Sequence, residues 1–180
     1  MIEIIAVIFT LISVYLTVKG NILCWPMSII GVTFYSIIFY QHSLYGDLFL
    51  QLVFFIQSII GWINWKKPKE ELKIGWLKKE NYGYLTNAML LLYTITFVLS
   101  TNLGGRMPFL DSAIATLSIT ATLLLIYKKI EAWILWILND ILLIILFNMN
   151  GLDISSYVYF IFLILATVGL IRWINMSSKR

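Results

Sequence analysis

The chain has 180 residues, of which 61% are hydrophobic and 12% are charged, and its net charge is +4. Soluble domains carry about 25% charged residues, so this composition excludes a soluble globular protein and predicts an integral membrane protein. Cys24 is the single cysteine and His42 the single histidine, which excludes an internal disulfide and a multi-ligand Cys/His metal site. No cofactor is expected.

Seven apolar runs are each long enough to cross a hydrocarbon core of roughly 30 Å, which takes about 20 helical residues. They are 2–18, 21–40, 45–65, 84–100, 107–126, 131–148 and 152–174. None of them alternates polar and apolar residues as barrel strands do, so we expect transmembrane helices. The first run follows Met1 without a cationic stretch, and we therefore expect a retained helix rather than a signal peptide.

The lysines and arginines predict the orientation in the membrane. Twelve of the 13 fall in connections on the side of the C-terminus, and only Arg106 falls on the opposite side. The positive-inside rule therefore places the N-terminus outside and the C-terminus in the cytoplasm of a multi-pass inner (plasma) membrane protein. The cations face the lipid bilayer surface in this interpretation, and a nucleic-acid partner is not expected. The polar interval 66–83 is predicted to be a cytoplasmic linker.

An internal repeat appears when the sequence is shifted against itself so that Trp25 meets Trp133. The same shift brings Gly61 onto Gly169 and Trp65 onto Trp173. The repeat predicts one membrane domain, 1–180, built of three helices (1–65), a cytoplasmic loop with a linker helix (66–106) and three further helices (107–174). Four crossings separate equivalent helices, so the halves would be parallel, as in the SWEET-like 3+1+3 arrangement, with a substrate site near the midplane between them.

The polar residues inside the spans mark a candidate substrate site. In the sixth run, "WILWILND", Trp133, Trp136 and Asp140 follow i, i+3, i+7 spacing, and Asn139 lies beside them. Gln51, Gln57 and Tyr159 are expected at similar depth on the third and seventh helices. Indole rings beside amide and carboxyl groups suit a flat, polar ligand, which the rings stack on and the polar groups bond.

Structural roles compete with this interpretation. An interfacial aromatic belt would also account for five tryptophans near span ends: Trp25, Trp62, Trp65, Trp133 and Trp173. Gln51 and Gln57 could instead join helices by hydrogen bonds. Asp140 is harder to explain structurally, because a carboxylate at the bilayer centre costs about 2.5–3.5 kcal/mol. No phosphate loop, catalytic metal cluster or activated nucleophile is recognisable, so an enzyme is not expected.

Several motifs between residues 21 and 65 resemble those of the Pnu vitamin transporters, above all the PnuC-type nicotinamide riboside transporters. They are Trp25-Pro26, Leu44-Tyr45-x-Asp47, Leu50-Gln51 and Gly61-Trp62-x-x-Trp65. The resemblance implies facilitated diffusion of a vitamin-like nucleoside, trapped by phosphorylation by a cytoplasmic kinase. It also implies a substrate role for the "WILWILND" residues and for an Asn-x-x-Tyr motif on the seventh helix.

The chain departs from that last motif, since Ser156 stands where asparagine is expected while Tyr159 matches. The resemblance thus leaves open whether the vitamin is nicotinamide riboside or thiamine. The competing hypotheses are a SWEET-like sugar carrier, an ion-coupled transporter that uses Asp140 and a membrane scaffold. A homo-oligomer is compatible with all of them.

Overall fold

The computed structural model describes residues 2–68, 72–102, 104, 107–149 and 153–178, with the side chains of 153–155 not described. Seven helices occur in these residues: α1 (Ile2–Val18), α2 (Cys24–Gln41), α3 (Tyr45–Trp65), α4 (Asn81–Asn102), α5 (Pro108–Ile126), α6 (Glu131–Met149) and α7 (Asp153–Ser178). No strand is present in the described part, where an isolated bridge joins Gly75 to Lys129. Each apolar run of the sequence corresponds to one helix, so the all-α prediction is confirmed.

Five of the helices, α3 to α7, are long and apolar enough to cross a membrane. The apolar α1 is shorter, with 17 residues, and α2, with 18 residues, is not among the five. The chain is therefore an all-helical, multi-pass membrane protein, and the assignment of α1 and α2 as further spans stays a prediction.

The turns that end α1 and α5 occupy equivalent positions in the repeat and have the same backbone geometry. After α1, the N–H of Gly20 donates to the Thr17 carbonyl and the next N–H donates to the Leu16 carbonyl. After α5, Lys128 donates to Leu125 and the next N–H donates to Leu124. Gly20 (φ +66°) and Lys128 (φ +52°) both adopt the left-handed conformation, which identifies two equivalent Schellman motifs.

Helix packing follows the same repeat. Within the halves α2 packs between α1 and α3, and α6 packs between α5 and α7. Between the halves, α1 packs on α7 and α3 packs on α5. These two contacts are equivalent, because α1 corresponds to α5 and α3 corresponds to α7 in the repeat. The fourth helix, α4, packs on α5 and contains no buried residue.

Four buried tryptophans, Trp25, Trp65, Trp133 and Trp173, form a cluster at the end of the bundle that carries the α1–α2 and α5–α6 turns. We call this end the lysine-rich end, because lysines 19, 66, 67, 73, 78, 79, 128 and 129 lie in its connections. Trp25 contacts Trp65 edge-on and Trp133 contacts Trp173 edge-on, each at 5.4 Å between centroids. Trp65 and Trp173 meet at 6.3 Å and so join the two halves.

The aromatic-belt interpretation is wrong for these four buried tryptophans and stays a prediction for Trp62, which is 37% exposed. A glycine explains two of the buried rings. A Cβ at Gly61 would overlap the Trp25 ring, and a Cβ at Gly169 would lie 2.6 Å from the Trp133 ring. Position along a span indicates the depth of a residue in the membrane. The inward packing of the rings depends instead on glycine, which has no Cβ to occupy the space of the ring.

Candidate functional site

Asn139 and Asp140 are buried on α6, with 2% and 3% of their surface exposed. The side-chain carbonyl oxygen of Asn139 is buried and accepts no hydrogen bond within the described residues. The ion pair found in the described part of the chain joins Lys78 to Glu80 and does not involve the Asp140 carboxyl group. A buried polar group without a partner is unfavourable unless a ligand or ordered water completes it, so the Asn139 oxygen is suited to bind one.

The two tryptophans of the same segment occupy different environments. Trp133 is 1% exposed and is committed to packing, since its ring lies on Gly169 and against Trp173. Trp136 is half-buried and packs against the edge of the tryptophan cluster. Of the two rings, Trp136 therefore has the surface that a ligand could still cover.

Gln57 is buried on α3 and has one satisfied and one unsatisfied end. Its Nε2 donates to the Ile119 carbonyl of α5 at 3.0 Å, which joins the two halves. Its Oε1 is buried and has no partner within the described residues. The interhelical and the ligand-binding interpretations are thus compatible. Gln51, nearly two turns earlier on α3, is half-buried.

Tyr159 brings parts of both halves together. It lies within electrostatic range of Asp140 on α6, Tyr35 on α2 and Asp47 on α3. Its ring stacks on Phe147 at 5.2 Å between centroids, and Ser156, one turn earlier on α7, is 8% exposed. The shared substrate role of Tyr159 and Asp140 stays a prediction.

Sequence reasoning missed the hydroxyl groups of α5. Five of its serines and threonines are buried, namely Ser112, Thr116, Ser118, Thr120 and Thr122. Several bond to their own helix, as in the 2.8 Å bond from Ser118 to the Ile114 carbonyl. Such small residues allow close helix approach in membranes, and α5 packs on α3, α4 and α6. The i, i+4 hydroxyl spacing in "DSAIATLSITAT" is the signal that identifies this face.

Glu131 is a second residue that sequence reasoning missed. It is 7% exposed at the start of α6, where its Oε1 accepts hydrogen bonds from the Leu77 N–H, at 2.7 Å, and from the Tyr82 hydroxyl. Backbone bonds between Gly75 and the α5–α6 turn lie beside it. Glu131 therefore attaches the linker segment 72–80 to the second half of the molecule.

Two clefts open at the surface of the described structure. One, of about 580 Å³, lies between α2 and α3 and is lined by Thr33, Ser36, Tyr45, Leu48, Phe49, Leu52 and Phe55. The other, of about 450 Å³, lies along α7. Neither of these two clefts is lined by a predicted site residue. No group of three or more potential metal ligands occurs among the described residues.

Two named transporters are similar to this chain over most of its length. The chain is 28% identical to the nicotinamide riboside transporter PnuC of Escherichia coli K12 over 99% of its own length and 87% of the relative. It is 26% identical to PnuC of Neisseria mucosa over 89% of this chain and 67% of that one.

The fold is also known from a solved structure. The crystal structure of the vitamin B3 transporter PnuC matches 99% of this chain and 82% of the solved chain, with a TM-score of 0.81 and 23% identity. At that identity the likeness establishes the fold. The sequence profile of the nicotinamide mononucleotide transporter family matches residues 1–175, nearly the whole length, and the chain belongs to that family.

Proposed function

We propose that this protein carries nicotinamide riboside across the inner membrane by facilitated diffusion, and that a cytoplasmic kinase traps the substrate by phosphorylation. The observation that carries the proposal is the likeness to the Escherichia coli nicotinamide riboside transporter, which extends over 99% of this chain. The family and the relatives are named as transporters, which agrees with a chain that has no recognisable catalytic motif.

The architecture that we propose for transport is a pair of parallel three-helix repeats, 1–65 and 107–174, joined by the segment 66–106. The equivalent Schellman motifs at Gly20 and Lys128 support it. The equivalent rings of Trp25 and Trp133, each packed on the glycine of its own half, support it as well. A substrate path between the halves would then pass the buried polar groups of α3, α6 and α7.

The proposed orientation has the lysine-rich end in the cytoplasm and the N-terminus outside. It rests on the positive-inside rule and on the lysines in the connections after α1, α3 and α5. Arg106, the single cation expected on the outer side, lies outside the described residues. In a Cys24→Ala background, cysteines at Lys73 and Arg106 should react from opposite sides of the membrane, and labelling of both from one side would contradict the orientation.

The proposed substrate site comprises Trp136, Asn139 and Asp140 on α6, Gln51 and Gln57 on α3, and Ser156 and Tyr159 on α7, with Trp133 supporting the site from the cluster. The partnerless oxygens of Asn139 and Gln57 would accept hydrogen bonds from substrate hydroxyl or amide groups. Trp136 would stack on the flat ring, and a positively charged ring would gain about 0.5–2 kcal/mol from this contact.

Uptake into proteoliposomes tests the function. Labelled nicotinamide riboside should equilibrate down its own gradient, and imposed sodium or proton gradients should not change the final level. Accumulation above the external concentration that needs a proton gradient and disappears in Asp140→Asn would instead establish ion coupling. Thiamine is the second candidate substrate because Ser156 replaces an expected asparagine, so uptake of thiamine but not of nicotinamide riboside would reassign the vitamin.

A further inference from the structure

The tryptophan cluster closes the space between the two halves at the lysine-rich end. Its members are Trp25, Trp65, Trp133 and Trp173, and their exposed fractions lie between 0% and 6%. Trp65 of the first half and Trp173 of the second half are the pair that meet across the boundary. Any substrate that passes between the halves at this end has to displace these rings.

Hydrogen bonds that cross between the halves hold this closure in two equivalent places. The Nε1 of Trp65 donates to the Leu125 and Ile126 carbonyls of α5, at 3.1 and 3.2 Å. The Nε1 of Trp173 donates to the Thr17 carbonyl of α1 at 3.3 Å. In the repeat Trp173 is equivalent to Trp65 and Leu125 is equivalent to Thr17, so these are the same contact made once in each direction.

The second contact is the weaker of the two. Beside Trp65, Asn64 adds a bond of 2.8 Å from its Nδ2 to the Ile126 carbonyl, and the Lys128 ammonium lies 4.7 Å from the Trp65 ring centroid. Arg172 takes the place of Asn64 beside Trp173, and Gly20 takes the place of Lys128. The α1–α7 contact therefore has fewer interactions to lose when the halves separate.

The closed arrangement also leaves polar groups unsatisfied. The Nε1 atoms of Trp25 and Trp133 are both buried and have no acceptor within the described residues. A buried donor without a partner is unfavourable, and it regains a hydrogen bond when water reaches it. Packing and the crossing bonds thus favour closure, whereas two equivalent indole donors favour opening, a balance expected of an element that moves between two states.

We propose that the four-tryptophan cluster is a gate at the lysine-rich end. Hydrogen bonds from the Nε1 groups of Trp65 and Trp173 to carbonyl groups of the opposite half hold the gate closed. This inference rests on the proposed transport function. The gate opens when the indole-to-carbonyl bonds break and water reaches the orphaned donors of Trp25 and Trp133. Trp65 and Trp173 are positioning residues, which control access to the path without contacting substrate.

The single native cysteine reports on this gate. Cys24 precedes Trp25, is 1% exposed and belongs to the same buried cluster. A membrane-permeant maleimide can modify it when the lysine-rich end opens, and the reaction rate follows the open population when opening and closing are fast. The rate would be measured by mass spectrometry on the intact protein in nanodiscs.

Trp65→Phe and Trp173→Phe each keep an aromatic ring and remove the N–H that donates to a carbonyl of the opposite half. We expect each to accelerate labelling of Cys24 by about threefold to tenfold, the effect of one lost hydrogen bond, and the double variant to be faster than either. The matched control is Trp62→Phe, because Trp62 lies one turn before Trp65 and is exposed. Its labelling rate should equal that of the wild type.

A second reporter separates gate opening from general loosening. Ala6 is fully buried near the other end of α1, so Ala6→Cys in a Cys24→Ala background becomes reactive only if that part of the bundle loosens. Trp65→Phe and Trp173→Phe should leave its labelling unchanged. Unchanged labelling of Cys24, or equal acceleration at both positions, would overturn the gate. The labelling uses no substrate, so absent nicotinamide riboside uptake would contradict the proposed function and leave this result standing.

Discussion

Helices α2 and α6 are equivalent in the repeat, yet they differ at the depth of the candidate site. Both begin with a buried tryptophan, Trp25 or Trp133, that packs on a glycine. The next inward-facing positions of α6, Trp136, Asn139 and Asp140, correspond to Ser28, Gly31 and Val32 of α2. The two halves are therefore alike at the lysine-rich end and different at the depth of the candidate site.

The positions in α2 serve helix packing. Ser28 and Ser58 share a hydrogen bond of 2.9 Å between α2 and α3. Gly31 lies against α1, where an added Cβ would approach the Thr10 hydroxyl at 2.8 Å. The same positions in α6 bury an amide and a carboxyl group instead. In the proposed site and gate, the shared elements would close the molecule, while the second half would supply most of the groups for recognition.

The largest expected loss of stability concerns Gly61 and Gly169, and it tests whether the two halves pack alike. Gly61→Ala and Gly169→Ala should each destabilise the protein by about 3 kcal/mol, because a Cβ would overlap a buried indole ring. Thermal unfolding in detergent measures the loss. Gly46→Ala and Gly83→Ala are the controls, since open space surrounds both positions. A marked difference between Gly61→Ala and Gly169→Ala would show that the two contacts are not equivalent.

The second prediction tests the difference between α2 and α6 at the depth of the candidate site. Trp136→Ala should weaken binding of nicotinamide riboside by about 1–3 kcal/mol, up to roughly a hundredfold in affinity, because it removes a stacking surface. Isothermal titration measures this change in protein first checked for monodispersity. Ser28→Ala, at the equivalent position of α2, should retain wild-type affinity. Equal affinity losses in the two variants would place recognition in both halves.

The hydrogen bonds of Glu131 attach the linker segment to the second half, and within the described residues the equivalent position of the first half makes no such attachment. Glu131→Ala should cost about 1.5 kcal/mol of local stability, because Leu77 and Tyr82 lose their acceptor. The released segment should then be cut faster by trypsin at Lys73 or Lys78. The equivalent position in the first half is Leu23, which directly precedes α2 and is exposed, and Leu23→Ala should leave the cleavage rate unchanged. Equal rates for Glu131→Ala and the wild type would refute the attachment.

The smallest effect concerns the residues that end α1 and α5. Gly20→Ala should destabilise by about 1 kcal/mol, since a left-handed conformation is unfavourable for a residue with a Cβ. Lys128→Gly relieves that strain but removes a cation–π contact of about 0.5–1 kcal/mol, so the net change should be smaller. Thermal unfolding of both variants checks the order, and a larger loss in Lys128→Gly would show that its side chain outweighs the strain.

The helices could be predicted from the sequence, because apolar run length is a local signal, and the arrangement in two three-helix repeats stays a prediction that rests on matched tryptophan–glycine pairs. The inward packing of Trp65 and Trp173 could not, because a residue's depth does not tell whether it faces lipid or a neighbouring helix. Glu131 was missed for a related reason. Its partners lie far earlier in the chain, Leu77 before α4 and Tyr82 in the first turn of α4, and no spacing rule connects them.

The peripheral position of α4 bears on how freely the sequence can change. A unit of three spans starts and finishes on opposite faces of the membrane. A second unit joined to it directly would therefore have the opposite orientation in the membrane. In the proposed architecture α4 would be the one additional crossing that restores the direction, a role that nearly any apolar helix of sufficient length could fill. Because α4 buries no residue, we expect its lipid-facing positions to tolerate wholesale exchange for other apolar side chains, provided that Tyr82 remains to bond Glu131.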